Sequence, residues 1–288
     1  VTGFGLGAAA YPLTWFDRFD DYAEKLGAWV ADAAGQGARL LVFPEYGAME
    51  LASLGGPAVA ADLERALHEV ARHGPAVTAL HLALARQHDV MILGASAPYF
   101  AGARPVNRAV LYGPDGVIGH QDKQIMTRFE RETWDVVAGQ GLAPFDTDLG
   151  RIGVVICYDS EFPLLARHLV DQGAEVLLAP SCTDSLAGFT RVRVGSMARA
   201  LENQCIVAHS PTVGLCDFCP AVDENVGSAA IYGPPDHGFP ATGIIAETAL
   251  NAPGWAVAEV SLEAVRAVRR DGGVLNHRHW AEQLNRIG

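Results

Sequence analysis

The sequence predicts an α/β protein built on a mixed sheet, and three observations point there. Short apolar runs alternate along the chain with longer segments of helical periodicity. Some runs follow helical segments, as parallel strands require, and others flank a tight turn, as antiparallel ones do. The 31 glycines and 16 prolines are scattered as punctuation rather than gathered into a linker. No internal repeat or low-complexity tract interrupts the pattern, so 288 residues read as one domain.

In chain order, residues 3–10 are a glycine-rich apolar run and predict a strand. Over 20–35, Tyr22, Leu26, Trp29, Val30 and Ala33 recur at helical spacing, which predicts a helix. Residues 39–44 predict a short buried strand, stopped by Pro44 because proline has no N–H to give a sheet. Segments 62–73 and 75–87 predict two helices parted at Gly74, and 89–96 a strand. Gly113-Pro114-Asp115-Gly116 is a strong turn signal, so 108–112 and 117–120 predict a hairpin. A strand is expected over 151–157, a helix over 163–172 and a strand over 174–180. Val194, Met197, Ala198 and Leu201 share one face of a helix expected over 190–203. Strands over 205–210, 228–232 and 255–260 and a helix over 262–269 complete the pattern.

Half the residues are hydrophobic and 19% are charged, a balance that buries a core and excludes disorder. A net charge of -12 argues against nucleic acid or an anionic membrane as partner. No apolar stretch approaches the roughly 18 residues of a membrane span, and 1–12 shows no basic leader with a cleavage site. A cytoplasmic location is therefore expected. The five cysteines, Cys157, Cys182, Cys205, Cys216 and Cys219, are an odd number and suggest free thiols in a reducing compartment rather than a disulfide framework.

Three expected strand ends carry polar residues that packing alone would not choose: Glu45, Lys123 and Cys157. Ligands of open α/β sheets gather beyond such ends. A thiol reacts as its thiolate, which an ammonium stabilises, and a carboxylate can take and return the proton. Lys123 and a backbone N–H such as that of Tyr158 could hold the oxyanion formed on attack at an amide. Each residue alone also fits an ordinary role: a solvated loop Glu, a surface Lys, a small buried Cys.

The segments LLVFPEYG, GHQDKQ, GVVICYDSEFP, GAEVLLAPS and ARALENQ, in this order and spacing, resemble the nitrilase superfamily of carbon–nitrogen hydrolases. The resemblance runs from about Gly3 to Val260. It implies an α-β-β-α sandwich, usually paired with a second subunit as a homodimer or higher oligomer. Its catalytic Glu, Lys and Cys fall on Glu45, Lys123 and Cys157. A second active-site glutamate is common in the family. Glu130 and Glu132 are the candidates, and Glu132 is preferred because it lies seven residues before Gly139. After the cysteine, Tyr158-Asp159 is similar to the amidase-like branches. Glu161 and Leu164 stand where those branches commonly have Arg and Glu. They resemble instead a bacterial and fungal subgroup in which this domain can be fused to an acetyltransferase-like one, for which 288 residues leave no room.

The expected activity is hydrolysis of a small amide to acid and ammonia through a thioester on Cys157, with neither metal nor organic cofactor. The alternatives are a nitrilase or an N-carbamoyl amine hydrolase on the same residues, or a non-catalytic scaffold. Tyr46, Phe129, Tyr158 and Thr183 are expected to bind substrate, because they neighbour the catalytic residues. Residues 1–260 form the expected hydrolase domain, and 261–288 a C-terminal helix and tail packing on a partner subunit. His277 and His279 fall in that tail. Cys216 and Cys219 form a lone C-x-x-C, which a zinc site would need to supplement with further ligands. Cys182 is expected in the pocket wall rather than as a second nucleophile.

Overall fold

The computed structural model describes residues 3–287; residues 1, 2 and 288, at the outer ends of the two expected segments, lie outside the described residues. Its strands are β1 (Gly3–Pro12), β2 (Ala38–Val42), β3 (Met91–Leu93), β4 (Ala97–Tyr99), β5 (Val106–Gly113), β6 (Gly116–Asp122) and β7 (Phe145–Thr147). There follow β8 (Gly150–Val154), β9 (Val176–Ser181), β10 (Ile206–Leu215), β11 (Glu224–Asn225), β12 (Ala230–Tyr232), β13 (Ile244–Glu247) and β14 (Gly254–Ser261). The α-helices are α1 (Phe19–Gly35), α2 (Pro57–Ala60), α3 (Leu63–Arg72), α4 (Gly74–His88), α5 (Pro163–Asp171), α6 (Leu186–Asn203), α7 (Leu262–Asp271) and α8 (Asn276–His279).

Two mixed half-sheets share one seam. In the first, β1 pairs antiparallel with β14 and parallel with β2, which leads through β3 to the β5–β6 hairpin. In the second, β10, β9 and β8 run parallel, with β7 and β12 antiparallel at their flanks. The seam is the end of β1, where Tyr11 and Pro12 pair with Thr212 and Val213 of β10.

Alternation along the strands builds the layers. Side chains of successive strand residues point to opposite faces. Leu6, Ala8, Leu40 and Val42 of the first half therefore meet Ile152, Val154, Val176 and Leu178 of the second in one fully buried core between the sheets. Their neighbours Leu41 and Phe43 face outward onto Leu26, Val30, Leu67 and Leu84 of α1, α3 and α4. Leu177 and Ala179 face Ala166, Leu169 and Ala200 of α5 and α6. The result is the expected α-β-β-α sandwich. Truncating one such core leucine to alanine would cost about 2–5 kcal/mol.

Most elements lie where the periodicity places them, and the departures have local causes. The strand expected to reach Cys157 ends at Val154, and a one-turn 3-10 helix runs over Cys157–Glu161. The Asp159 carboxylate enforces that turn by accepting the N–H of Ile156 as well as those of Gln124 and Ile125. Helix α6 begins four residues before the expected start, because Ser185 Oγ caps it by accepting the N–H of Gly188. A 3-10 segment over Gly47–Gly55, buried from Gly47 to Ser53, has no counterpart in the sequence reading; a run with no exposed face has no periodicity to read.

The C-terminal helix α7 packs on its own chain, burying Leu262, Val265 and Val268. Beyond it, Arg167 donates to the His277 carbonyl and lies 5.0 Å from the Trp280 ring centroid. No helix among the described residues is long and apolar enough to cross a membrane.

Candidate active site

Strand ends of both half-sheets converge on one buried cluster. Glu45 follows β2, Lys123 follows β6, Cys157 follows β8 and Cys182 follows β9. The chain turns sharply at two of these points: Tyr46 and Cys157 hold left-handed φ values of 52° and 50°. Such strain in non-glycine residues persists only where the surroundings over-determine it. Here Ser96 Oγ accepts the N–H of Tyr46, and Ser160 Oγ donates to the Cys157 carbonyl at 2.6 Å.

The hydrogen bonds assign each carboxylate oxygen a job. Glu45 Oε1 accepts from Lys123 Nζ at 2.7 Å and from Asn107 Nδ2 at 3.0 Å. Glu45 Oε2 accepts one backbone N–H, that of Cys182, at 2.9 Å. Oε2 thus has room for a second donor, and the Cys157 thiol is a neighbour of the Glu45 carboxyl. Lys123 Nζ also donates to Glu130 Oε2 at 2.7 Å. An ammonium has three donors, so one of Lys123's has no partner among the described residues. Glu130 is held by further donors: Oε1 accepts the Tyr46 hydroxyl, and Oε2 accepts both the N–H and the hydroxyl of Thr127.

This geometry corrects the choice of second glutamate. Glu132 is 59% exposed and pairs with Arg128 at 2.7 Å on the surface, whereas Glu130 is buried against Lys123. The two sit in one π-helical turn (Glu130–Trp134). Residues two apart in such a turn face opposite ways, so only one can point inward. The spacing to Gly139 had favoured the other.

Charge in the cluster is unevenly settled. Burial raises the Glu45 carboxyl, and its bond to Lys123 only partly offsets that. For Glu130 the burial cost is outweighed by Lys123 and the Thr127 donors, so it stays below the usual range. Burial works against the Lys123 charge, yet two carboxylates hold it well above the ordinary lysine value. Burial, then the negative charge of Glu45, pushes the Cys157 thiol well up, and Lys123 does not reverse this. Burial thus opposes the thiolate that the neighbouring ammonium favours.

Above the cluster lies a cavity of about 670 Å³, lined by Glu45, Lys123, Glu130, Cys157 and Cys182 among others. Tyr46, Phe129, Tyr158 and Thr183, the four residues expected to bind substrate, also line it. Glu132 does not. Asn107 escaped the sequence reading. Its signal was an asparagine inside an apolar strand run, where that residue is normally depleted. Cys216 and Cys219 are buried thiols beneath the loop whose Ala221 and Val222 form part of the cavity wall. Among the described residues, no group of three or more His, Cys, Asp or Glu is placed to hold a metal.

A buried thiol beside a carboxylate with an open valence, at the strand ends of a four-layer sandwich, is equipped for covalent hydrolysis of a carbonyl compound. The family model for carbon–nitrogen hydrolases matches residues 7–270, and the chain belongs to that enzyme family. It is 34% identical over 267 residues to the "Probable hydrolase YhcX" of Bacillus subtilis, covering 92% of this chain and 51% of that protein. The chain thus spans about half the length of that relative. It is 28% identical to a "Deaminated glutathione amidase" of Synechocystis, covering 94% of this chain and 97% of that one. In fold it is similar to Saccharomyces cerevisiae Nit3, a member of branch 10 of the nitrilase superfamily. The TM-score is 0.73 at 19% identity, over 93% of this chain and 94% of that one.

Proposed function

We propose that this carbon–nitrogen hydrolase cleaves a small amide to acid and ammonia through a thioester on Cys157. The observation that supports this best is the pair of open valences at the cavity floor, one on Glu45 Oε2 and one on Lys123 Nζ. Cys157 Sγ attacks the carbonyl carbon while its proton passes to Glu45, so no free thiolate accumulates. The carbonyl electron pair moves to oxygen, where the spare Lys123 N–H and the Tyr158 N–H receive it. One such donor is typically worth about 3–4 kcal/mol of barrier. Collapse of the adduct breaks the C–N bond as Glu45 returns the proton to nitrogen, and ammonia leaves. Water then gives a proton to Glu45 and attacks the thioester. The second adduct expels Cys157, which recovers that proton, and the acid departs. Glu130 holds Lys123 in place and charged throughout. Tyr46, Phe129, Tyr158 and Thr183 shape the acyl pocket.

The test is ammonia release over a diverse amide panel, with Cys157→Ala as control. Release that the control matches would end this mechanism. Matched nitriles and N-carbamoyl amines in the same panel separate the activities that would use the same residues.

Pairing of two copies is part of the proposal. Val194 and Leu201 on α6 are 59% and 45% exposed, with Leu164 of α5 at 72%, an apolar stripe that a second subunit would cover. The tail after α7 would pack on that partner. Val194→Arg combined with Leu201→Arg should convert a dimer to monomer in sedimentation. Five free thiols suit a reducing, cytoplasmic setting.

A further inference from the structure

The cluster at the cavity floor defines the bond that breaks, and charges higher in the same cavity bear on the rest of the substrate. Glu161 closes the single turn that Cys157 opens, and both line the cavity. At a rise of about 2 Å per residue, they stand roughly 8 Å apart along the turn axis, the reach of a short molecule. The Glu161 side chain is only 21% exposed. Burial raises its carboxyl more than Arg191 lowers it, so the charge is under-compensated. Arg191 lies 3.6 Å away with its own side chain 62% exposed, a loose pair that water screens. The other cavity arginine, Arg128, is engaged outward by Glu132. Asp184, Asp223 and Glu224 add three carboxylates to the cavity lining.

We propose, resting on the amide-hydrolase reading, that Glu161 is a specificity-determining residue. It selects amides that carry an ammonium or guanidinium group at the far end of a short chain. A cation there gains a carboxylate partner in a partly desolvated position, displacing the loosely held Arg191. A substrate carboxylate would meet like charge and be rejected.

Two measurements test this separately from the hydrolase reading. The first compares labelling of Cys157 by 2-aminoethyl and 2-sulfonatoethyl methanethiosulfonate, read by mass spectrometry and normalised to a free cysteine. The cationic reagent should react about tenfold faster or more. Glu161→Gln should collapse that ratio severalfold, and Arg191→Gln, on the exposed side of α6, should raise it. Equal normalised rates, or a ratio indifferent to Glu161→Gln, would overturn the proposal. The second compares kcat/KM for an ammonium-bearing amide and its neutral isostere, in wild type and Glu161→Gln. Turnover without charge preference removes the specificity role and leaves the hydrolase standing. Charge-selective labelling with no amide turnover removes the hydrolase reading and leaves the cation preference.

Discussion

Lys25 and Glu50 pair at 2.7 Å, as Lys123 and Glu45 do, and a tyrosine hydroxyl joins each cluster. The two sets differ in what is left over. Lys25 spends its three donors on Pro12 O, Thr14 Oγ1 and Glu50. Glu50 in turn takes the Tyr11 hydroxyl, the Thr14 N–H and Lys25. Every ammonium donor of that cluster is spent, and neither Lys25, Glu50 nor Tyr11 lines the cavity above Cys157. The Lys123 cluster keeps a donor and a lone pair open at the cavity floor. Buried charge by itself therefore identifies nothing; an unfilled valence facing a cavity marks chemistry. Burial explains both pairs equally, since an unpaired charge in either place would be costly.

The strongest way to break this contrast is at the open valences. Cys157→Ala should reduce ammonia release to the blank. Glu45→Gln should lower kcat by about 10³-fold or more, because it removes the proton acceptor. Next comes the pair of lysines. Lys123→Met and Lys25→Met should each destabilise by about 3–5 kcal/mol in urea titration, since each strands buried carboxylate. Only Lys123→Met should also abolish turnover in protein that remains folded. Comparable loss of kcat in both variants would erase the distinction between a working cluster and a structural one.

A smaller effect separates the two glutamates that the sequence confused. Glu130→Gln should cost about 10²-fold in kcat, by loosening and partly discharging Lys123. Glu132→Gln, on the surface, should change kcat by less than about twofold. The smallest effect concerns Asn107, which touches Glu45 but not the cavity. Glu45 must be ionised to act, and burial raises its pKa. The acid limb of kcat/KM should therefore lie above an ordinary glutamate's, with activity lost as pH falls through it. Asn107→Ala deletes a donor to the charged form, so the limb should move to still higher pH, with about a tenfold lower kcat near its midpoint. An unmoved limb would reduce Asn107 to packing.

Legibility followed the range of the forces involved. The run Leu41-Val42-Phe43-Pro44-Glu45 states its own structure: a short unbroken apolar run makes a buried strand and proline ends it, so the next polar side chain sits at a sheet end. Cys157 and Lys123 were legible for similar reasons. Glu130 was not, because two glutamates two residues apart differ only in which side of a turn faces the core. Asn107 and the Cys182 N–H were illegible as partners of Glu45, 62 and 137 residues away in sequence. The depth of burial at Cys157 was equally illegible, because proximity to an ammonium is visible in a family pattern while desolvation comes from packing.

The sequence by itself determined the alternation of strands and helices, and it placed Glu45, Lys123 and Cys157 close behind strands. Hydrophobic periodicity and turn chemistry act over a few residues and can be read locally. Tertiary structure alone decided which glutamate holds Lys123, which donors reach each oxygen of Glu45, and how deeply Cys157 is buried. Those outcomes depend on counting hydrogen bonds and excluding water where both half-sheets meet, and no single stretch of chain contains that information.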